Sequence, residues 1–418
     1  MTNEAPLLSL AVTPFTPRHA QLNRSSTWSD WMNGVKVYVR PAEFGNHEAA
    51  VTAMRQHAVL EDKSPLSMYF FSGPDAAALL QHLIIRDVDA WEVGMSKYIV
   101  FCDEDGHVVI DGVLFRVTED RYCYTSGPMD NWFAAHREGF DVEIEEETTD
   151  WGNLHLQGPA AFDIVTAATG QDWGDLRFGR GAQTQLAGVD VWLWRVGFGG
   201  ERGFEVWVPS DGALPVFDAL VEAGQPHGLE HLGDASEDVC RIEAGLVLPV
   251  IDYTLAGLDA PRQDSDPTGA QSVQWLATPD EIGAGRFIDF DKGDFIGREA
   301  LVAEREGSGP KTTLVGIEVN WRDIVSLQET FGRPPQVPKR VQRFPLLELR
   351  LDGTPVGYTG SIAWSANVKG LIGLARIAPQ AARPGTELNL AWREAGQEVG
   401  EVRTTTRALP FVERKRKN

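Results

Sequence analysis

The sequence is poor in the features that define disulfide-stapled domains, metal sites and membrane spans. Its three cysteines, Cys102, Cys123 and Cys240, are odd in number and far apart, with no Cys-x-x-Cys pair. Neither a disulfide framework nor a thiolate metal site is expected, and Cys102 and Cys123, set in strand-like runs, read as small buried hydrophobes. The histidines lack the paired spacing of a metal centre, so no metal is expected. No apolar run approaches the roughly 18 residues of a membrane helix, and no basic segment leads into an apolar core near the start. Positive charge is also scarce. Lysine and arginine total 38 against 60 aspartates and glutamates, a net charge of −22, which would repel nucleic acid and anionic lipid alike. The exception, the run Arg414, Lys415, Arg416, Lys417, reads as a solvated tail. The expectation is a cytoplasmic protein, monomer or homodimer, whose partner is a small molecule.

What is present is repetition. Residues 70–83 (Phe-Phe-Ser-Gly-Pro-Asp-Ala-Ala-Ala-Leu-Leu-Gln-His-Leu) and 155–168 (His-Leu-Gln-Gly-Pro-Ala-Ala-Phe-Asp-Ile-Val-Thr-Ala-Ala) share a plan of strand, Gly-Pro turn and Ala/Leu-rich helix. Both continue alike. Val108–Val117, Tyr122–Thr125 and a helix opened by Pro128 match Val189–Val196, Phe204–Val208 and a helix opened by Pro209. Two α/β units of strand–helix–strand–strand–helix order predict a pair of ferredoxin-like halves packed face to face, with a ligand between them. After Phe295–Leu301 and its helix, short strands at 314–319, 345–351, 357–362, 370–377, 387–392 and 398–404, with a turn at Asp352-Gly353, predict a small β-barrel. The fold class is therefore α+β. Residues 1–152 are expected to form the first half, 153–290 the second, and 291–418 the barrel. The polar stretches 252–272 and 331–339 read as loops.

These segments carry a resemblance. Gly199-Gly-Glu-Arg-Gly-Phe-Glu205, Arg241-Ile-Glu-Ala-Gly-Leu246, Thr278-Pro-x-Glu-x-Gly-x-Gly285 with Asp294-Phe-Ile-Gly-Arg-Glu-Ala-Leu301, Pro355-Val-Gly357 and Pro410-Phe-Val412 resemble, in collinear order, motifs of the glycine-cleavage T-protein superfamily. Gly106-His-Val-x-x-Asp-Gly112, together with Asn131-Trp132 and His136, resembles the branch of tetrahydrofolate-dependent demethylases of methoxylated aromatics. The iron–sulfur-assembly branch carries a Lys-Gly-Cys-Tyr motif where this chain reads Phe198-Gly-Gly-Glu201, which disfavours it. The resemblance implies a tetrahydrofolate cofactor and transfer of a methyl group from an O-, S- or N-methyl donor, above all a methoxylated aromatic. Its alternatives are aminomethyl or methylene transfer of the glycine-cleavage type, and folate binding without turnover.

The resemblance also implies roles for residues. Glu205 would anchor the pterin, because a carboxylate accepts its two parallel N–H donors together; the plain reading is a strand carboxylate. Asp111 would face the N5 end as the catalytic carboxylate, against a turn aspartate capped beside Gly112. Tyr98 would lie next to the folate, or simply pack in a strand. Tyr38 or Tyr253 would assist the leaving group. Arg241 is a candidate for the anionic glutamyl tail, unless it pairs with Glu237 or Glu243. Asp62-Lys-Ser-Pro65 replaces the demethylases' Thr-His pair. Lys63 there would meet an anionic substrate group or lie in solvent. His107 follows a turn glycine, near the folate or purely structural.

Overall fold

The computed structural model describes residues 9–34, 36–257, 275–339, 346–394 and 397–415. The repeat resolves into two sheets of like construction. In the first, strand Ser67–Ser72 turns into helix Ala76–Leu83, followed by strands Ser96–Cys102, Val108–Arg116 and Arg121–Ser126, helix Asp130–His136 and strand Glu143–Glu146. In the second, strand Trp151–Gln157 and helix Ala161–Thr169 precede strands Gly181–Leu186, Val189–Trp194 and Gly203–Pro209, helix Ala213–Gly224 and strand Leu229–His231. Glycine is required at both strand-to-helix turns. Gly73 and Gly158 take φ of 130° and 127°, and a Cβ on either would lie 2.6 Å from a carbonyl oxygen, of Asp141 or His57.

Each half holds two strands more than the expected order, one ahead of its strand pair (Ser96–Cys102 or Gly181–Leu186) and one after its second helix (Glu143–Glu146 or Leu229–His231). The added strand Gly181–Leu186 is largely polar and sits at a sheet edge, so it lacks the β-branched, alternating signature of a core strand. Pro209 closes a strand instead of opening a helix. Its extended backbone (φ −52°, ψ 138°) is followed by a 3-10 turn, Ser210–Gly212, before the helix begins at Ala213. Strand Ala58–Asp62, inside the segment 1–152, pairs antiparallel with Trp151–Gln157 and so belongs to the second sheet. Strands Ser9–Ala11, Trp28–Asn33 and Lys36–Pro41 form a separate three-stranded sheet.

Helices cover the outer face of each sheet, and the inner faces meet. Outer-face residues such as Phe71, Phe101 and Leu114 pack with Leu80 and Phe133 of the first sheet's helices. Leu156 and Val206 do the same with Ile164 and Phe217. Between the sheets, Met68, Phe70, Phe115 and Cys123 pack against Trp194, Val196 and Trp207. Phe115 meets both tryptophan rings edge-on at centroid distances of 4.9 and 4.5 Å.

The C-terminal strands Thr313–Val319, Leu347–Leu351, Thr354–Ser365, Gly370–Ile377, Glu387–Glu394 and Gln397–Arg407 close into a six-stranded barrel. Asp352-Gly353, with φ of 49° and 78°, makes its tight hairpin turn. Helix Trp321–Thr330, capped by Asn320, was not expected from the sequence; it packs on the barrel's last strand. Helices His47–Gln56 and Asp234–Glu243 join the barrel to the second half through Met54, Val239, Ile372 and Leu374. No helix among the described residues is long and apolar enough to cross a membrane. Most of the loop expected at 252–272 lies outside the described residues.

Candidate active site

Strand alternation decides which side chains look into the space between the sheets. On Val108–Arg116, residues 111, 113 and 115 share a face, and Val113 and Phe115 pack in the inter-sheet cluster. Asp111 therefore points inward. It is buried, as an aspartate between the apolar runs Val108–Ile110 and Val113–Phe115 must be. A buried carboxylate needs partners, and two tyrosines supply them. Tyr253 donates its hydroxyl hydrogen to Asp111 Oδ1, and its oxygen accepts the Asp111 backbone N–H at 3.2 Å. Tyr98 lies near enough for its hydroxyl to act on the same carboxylate. Tyr98 arrives from the adjacent strand, where Val100 is the partner of Asp111. Tyr253 comes from residues 246–257, which cross the sheet and are held by the N–H of Ala256 on the Val108 carbonyl. Burial pushes the Asp111 carboxyl above its usual range, and the two tyrosine hydroxyls draw it partly back. Burial likewise raises both tyrosines well above the ordinary phenol, with the charge of Asp111 adding to it.

The opposing wall is the second sheet. Glu61, His155 and Glu205 stand directly opposite one another on three adjacent strands, so they share a face, while Leu154, Leu156, Phe204 and Val206 fill the outer core. Glu205 is almost fully buried. Its Oε2 accepts from Trp207 Nε1 at 3.2 Å and Asn153 Nδ2 at 3.4 Å, and Oε1 lies 3.1 Å from His155 Nε2. The last approach is oblique enough that it is an electrostatic contact more than a linear hydrogen bond. Burial would raise the Glu205 carboxyl, but His155 and these donors outweigh it and hold it below the usual range. A buried, ionised carboxylate with long bonds on Oε2 suits a planar pair of N–H donors, the edge that a pterin presents.

Other sequence candidates sit elsewhere. Tyr38 lies in the N-terminal sheet opposite Trp31. Its buried hydroxyl has no hydrogen-bond partner among the described residues, and it is not among the groups that perturb Asp111. Arg241 is buried with its guanidinium spent inside the protein. It donates to Asp238 from Nε at 2.8 Å, to Asp252 at 2.6 Å, to Ser361 Oγ at 2.7 Å and to the Leu246 carbonyl at 3.3 Å. The ion-pair alternative thus holds with Asp238 and Asp252 in place of Glu237 and Glu243. Lys63 is neither solvated nor free. It is buried between Glu237 and Glu61, and Arg40 joins the same network through Glu61 at 3.4 Å and Glu237 at 3.7 Å. His107 sits in the hairpin turn, its N–H on Asp103 Oδ1 at 2.7 Å. That turn brings Asp103, Asp105 and His107 together, partly exposed; spacing in the chain did not single them out.

His155, Asn153, Gln157 and Trp207 were missed as site residues. The signal was present in the alternation of Asn153, His155 and Gln157 with Leu154 and Leu156, which marks a strand apolar on one face and polar on the other.

Comparison with known proteins places the chain in a family. Residues 23–255 match the GCVT N-terminal domain family. An aminomethyltransferase of Streptomyces coelicolor is 29% identical over 90% of this chain and 92% of its own length. A sesamin methylene transferase of Sinomonas sp. is 28% identical over 90% and 91%. The crystal structure of glycine cleavage system aminomethyltransferase T from Bartonella henselae superposes with a TM-score of 0.77 over 97% of this chain and 99% of that one, at 21% identity. The chain belongs to the GCVT family and is a tetrahydrofolate-dependent transferase.

Proposed function

We propose that the chain moves a one-carbon group from a small methylated donor to N5 of tetrahydrofolate, with Asp111 at the reacting end and Glu205 holding the pterin. The observation that carries this reading is the buried Asp111 carboxylate between the hydroxyls of Tyr253 and Tyr98, on the face turned toward the sheet of Glu205. With a methoxylated aromatic, the N5 lone pair takes the methyl carbon as the carbon–oxygen bond breaks. The bonding pair leaves on the phenolate, which takes a proton from Tyr253; the proton on N5 passes to Asp111 and on, across their hydrogen bond, to Tyr253, so both groups end as they began. Tyr253 is the better placed of the two candidate tyrosines, since Tyr38 sits on another sheet. Tyr98 orients Asp111 and borders the folate.

A second reading, transfer at the methylene level to give 5,10-methylenetetrahydrofolate, draws support from the relatives, which are named as aminomethyltransferases and a sesamin methylene transferase. The same carboxylate serves both, because each reaction develops positive charge at N5. The product separates them. After incubation with methoxylated aromatics, methylenedioxy aromatics and N-methylated amines, mass spectrometry reads the folate as 5-methyl or 5,10-methylene. Unchanged folate with every donor class, despite binding, would remove both donor assignments.

A further inference from the structure

The glycines of the loop 197–203 have no role in the chemistry above, yet their placement is specific. A Cβ on Gly197 would lie 2.6 Å from Gln157 Oε1; one on Gly199 would meet Met54 at 2.5 Å and the same oxygen at 3.1 Å, and one on Gly203 the Leu156 carbonyl at 2.3 Å and Gln157 Cα at 2.8 Å. The loop is glycine-rich where it wraps Gln157. Within this wrap the Gly199 N–H donates to Gln157 Oε1 at 2.8 Å. That bond settles the orientation of the amide, since only the oxygen can accept it. The Gln157 nitrogen is then the atom facing His155 Nδ1, at 3.5 Å. An imidazole that accepts at Nδ1 carries its proton on Nε2, the nitrogen 3.1 Å from Glu205 Oε1. On its other side His155 faces Glu61, so it stands between two carboxyl groups. Glu61 has Lys63 at 3.2 Å and Arg40 at 3.4 Å, whereas Glu205 accepts from Trp207 Nε1 and Asn153 Nδ2 and leaves Oε1 beside His155.

We propose that His155 and Gln157 are positioning residues for the folate anchor: a relay that transmits the fixed geometry of the 197–203 loop to the carboxylate of Glu205. The inference rests on the reading of Glu205 as the pterin anchor. The relay selects the His155 tautomer with its proton on Nε2, the nitrogen beside Glu205, and it holds that carboxylate turned toward the space between the sheets. Neither residue touches the reacting atoms.

The test is anaerobic calorimetry of tetrahydrofolate binding, with turnover at saturating folate, on H155L, H155Q, Q157L, E205Q and the double variant H155L/E205Q. H155L and Q157L are expected to raise Kd by about tenfold, the scale of one lost electrostatic contact on a buried carboxylate, with kcat changed far less than Kd. The amide of H155Q reaches the position of imidazole Nε2 and should restore most of the affinity. In the E205Q background, H155L should add nothing. Nitrogen-15 spectra of histidine-labelled protein, assigned by the signal lost in H155Q, should show the Nε2–H tautomer. Wild-type affinity in H155L, equal losses in H155L and H155Q, fully additive losses with E205Q, or an Nδ1–H tautomer would each overturn the relay. An E205Q protein that binds folate like wild type would instead overturn the anchor reading beneath it.

Discussion

At the scale of the residue, the proposed function turns on two inward carboxylates with opposite shifts. Asp111 is raised, chiefly by burial, and Glu205 is lowered, the divergence expected where two acids serve different tasks. If Asp111 accepts the N5 proton, Asp111→Asn should lower kcat by a factor on the order of 10² to 10⁴ and leave the tetrahydrofolate Kd within a few-fold; steady-state kinetics and calorimetry check both. Tyr253 draws the Asp111 value down by hydrogen bonding. Tyr253→Phe should therefore move the acid limb of the kcat/KM profile to higher pH, because a proton is held more tightly once that bond is gone. An unmoved limb would take Tyr253 off the carboxylate. For stability the signs also differ. The raised Asp111 costs stability as pH climbs from the ordinary aspartate range through its folded value. The lowered Glu205 contributes stability above the ordinary glutamate range and loses it only as pH falls through its folded value.

At the scale of the element, the helix Asp234–Glu243 is a junction. Arg241 ties it to Asp252, one residue before Tyr253, and to Ser361 on the barrel. Arg241→Leu leaves Asp238 and Asp252 buried without their cation, and unfolding in urea should show a loss of about 3–5 kcal/mol. The Gly-Pro turns are a second junction. Gly158→Ala meets both a left-handed φ and the His57 carbonyl 2.6 Å away, so a loss of about 2 kcal/mol is expected from the same measurement. A tolerated alanine would mean that strand Trp151–Gln157 can shift, and with it the register that aligns His155 with Glu205.

At the scale of the molecule, the proposed site is walled by both sheets and would link their stabilities through the ligand. Tetrahydrofolate at 100 times its Kd should stabilise the protein by about 2.7 kcal/mol, seen as a raised melting temperature that E205Q lacks at the same ligand concentration. The net charge of −22 disfavours long-range attraction of an anionic folate, so recognition falls to groups at close range inside the site.

Local pattern carried much of this protein into view. The shared plan of strand, Gly-Pro turn and Ala/Leu-rich helix exposed the repeat, the short strands with their turn at Asp352-Gly353 exposed the barrel, and the motif around Glu205 pointed to folate. Each depends on residues close in the chain. Long-range pairing could not be read the same way. The apolar strand Ala58–Asp62 is compatible with either sheet until Leu60 is seen opposite Leu156. Arg241 and Lys63 have carboxylates at many sequence distances, and only packing chose Asp238 and Asp252 for one and Glu237 and Glu61 for the other. The tertiary structure likewise separated Tyr253 from Tyr38, by laying residues 246–257 across the strand of Asp111, and promoted His155 from a repeat residue to a neighbour of Glu205. Sequence sets backbone geometry and the apolar face of each element, because those are local energies. The partner of a buried charge is set by desolvation, which exists only once the elements have met.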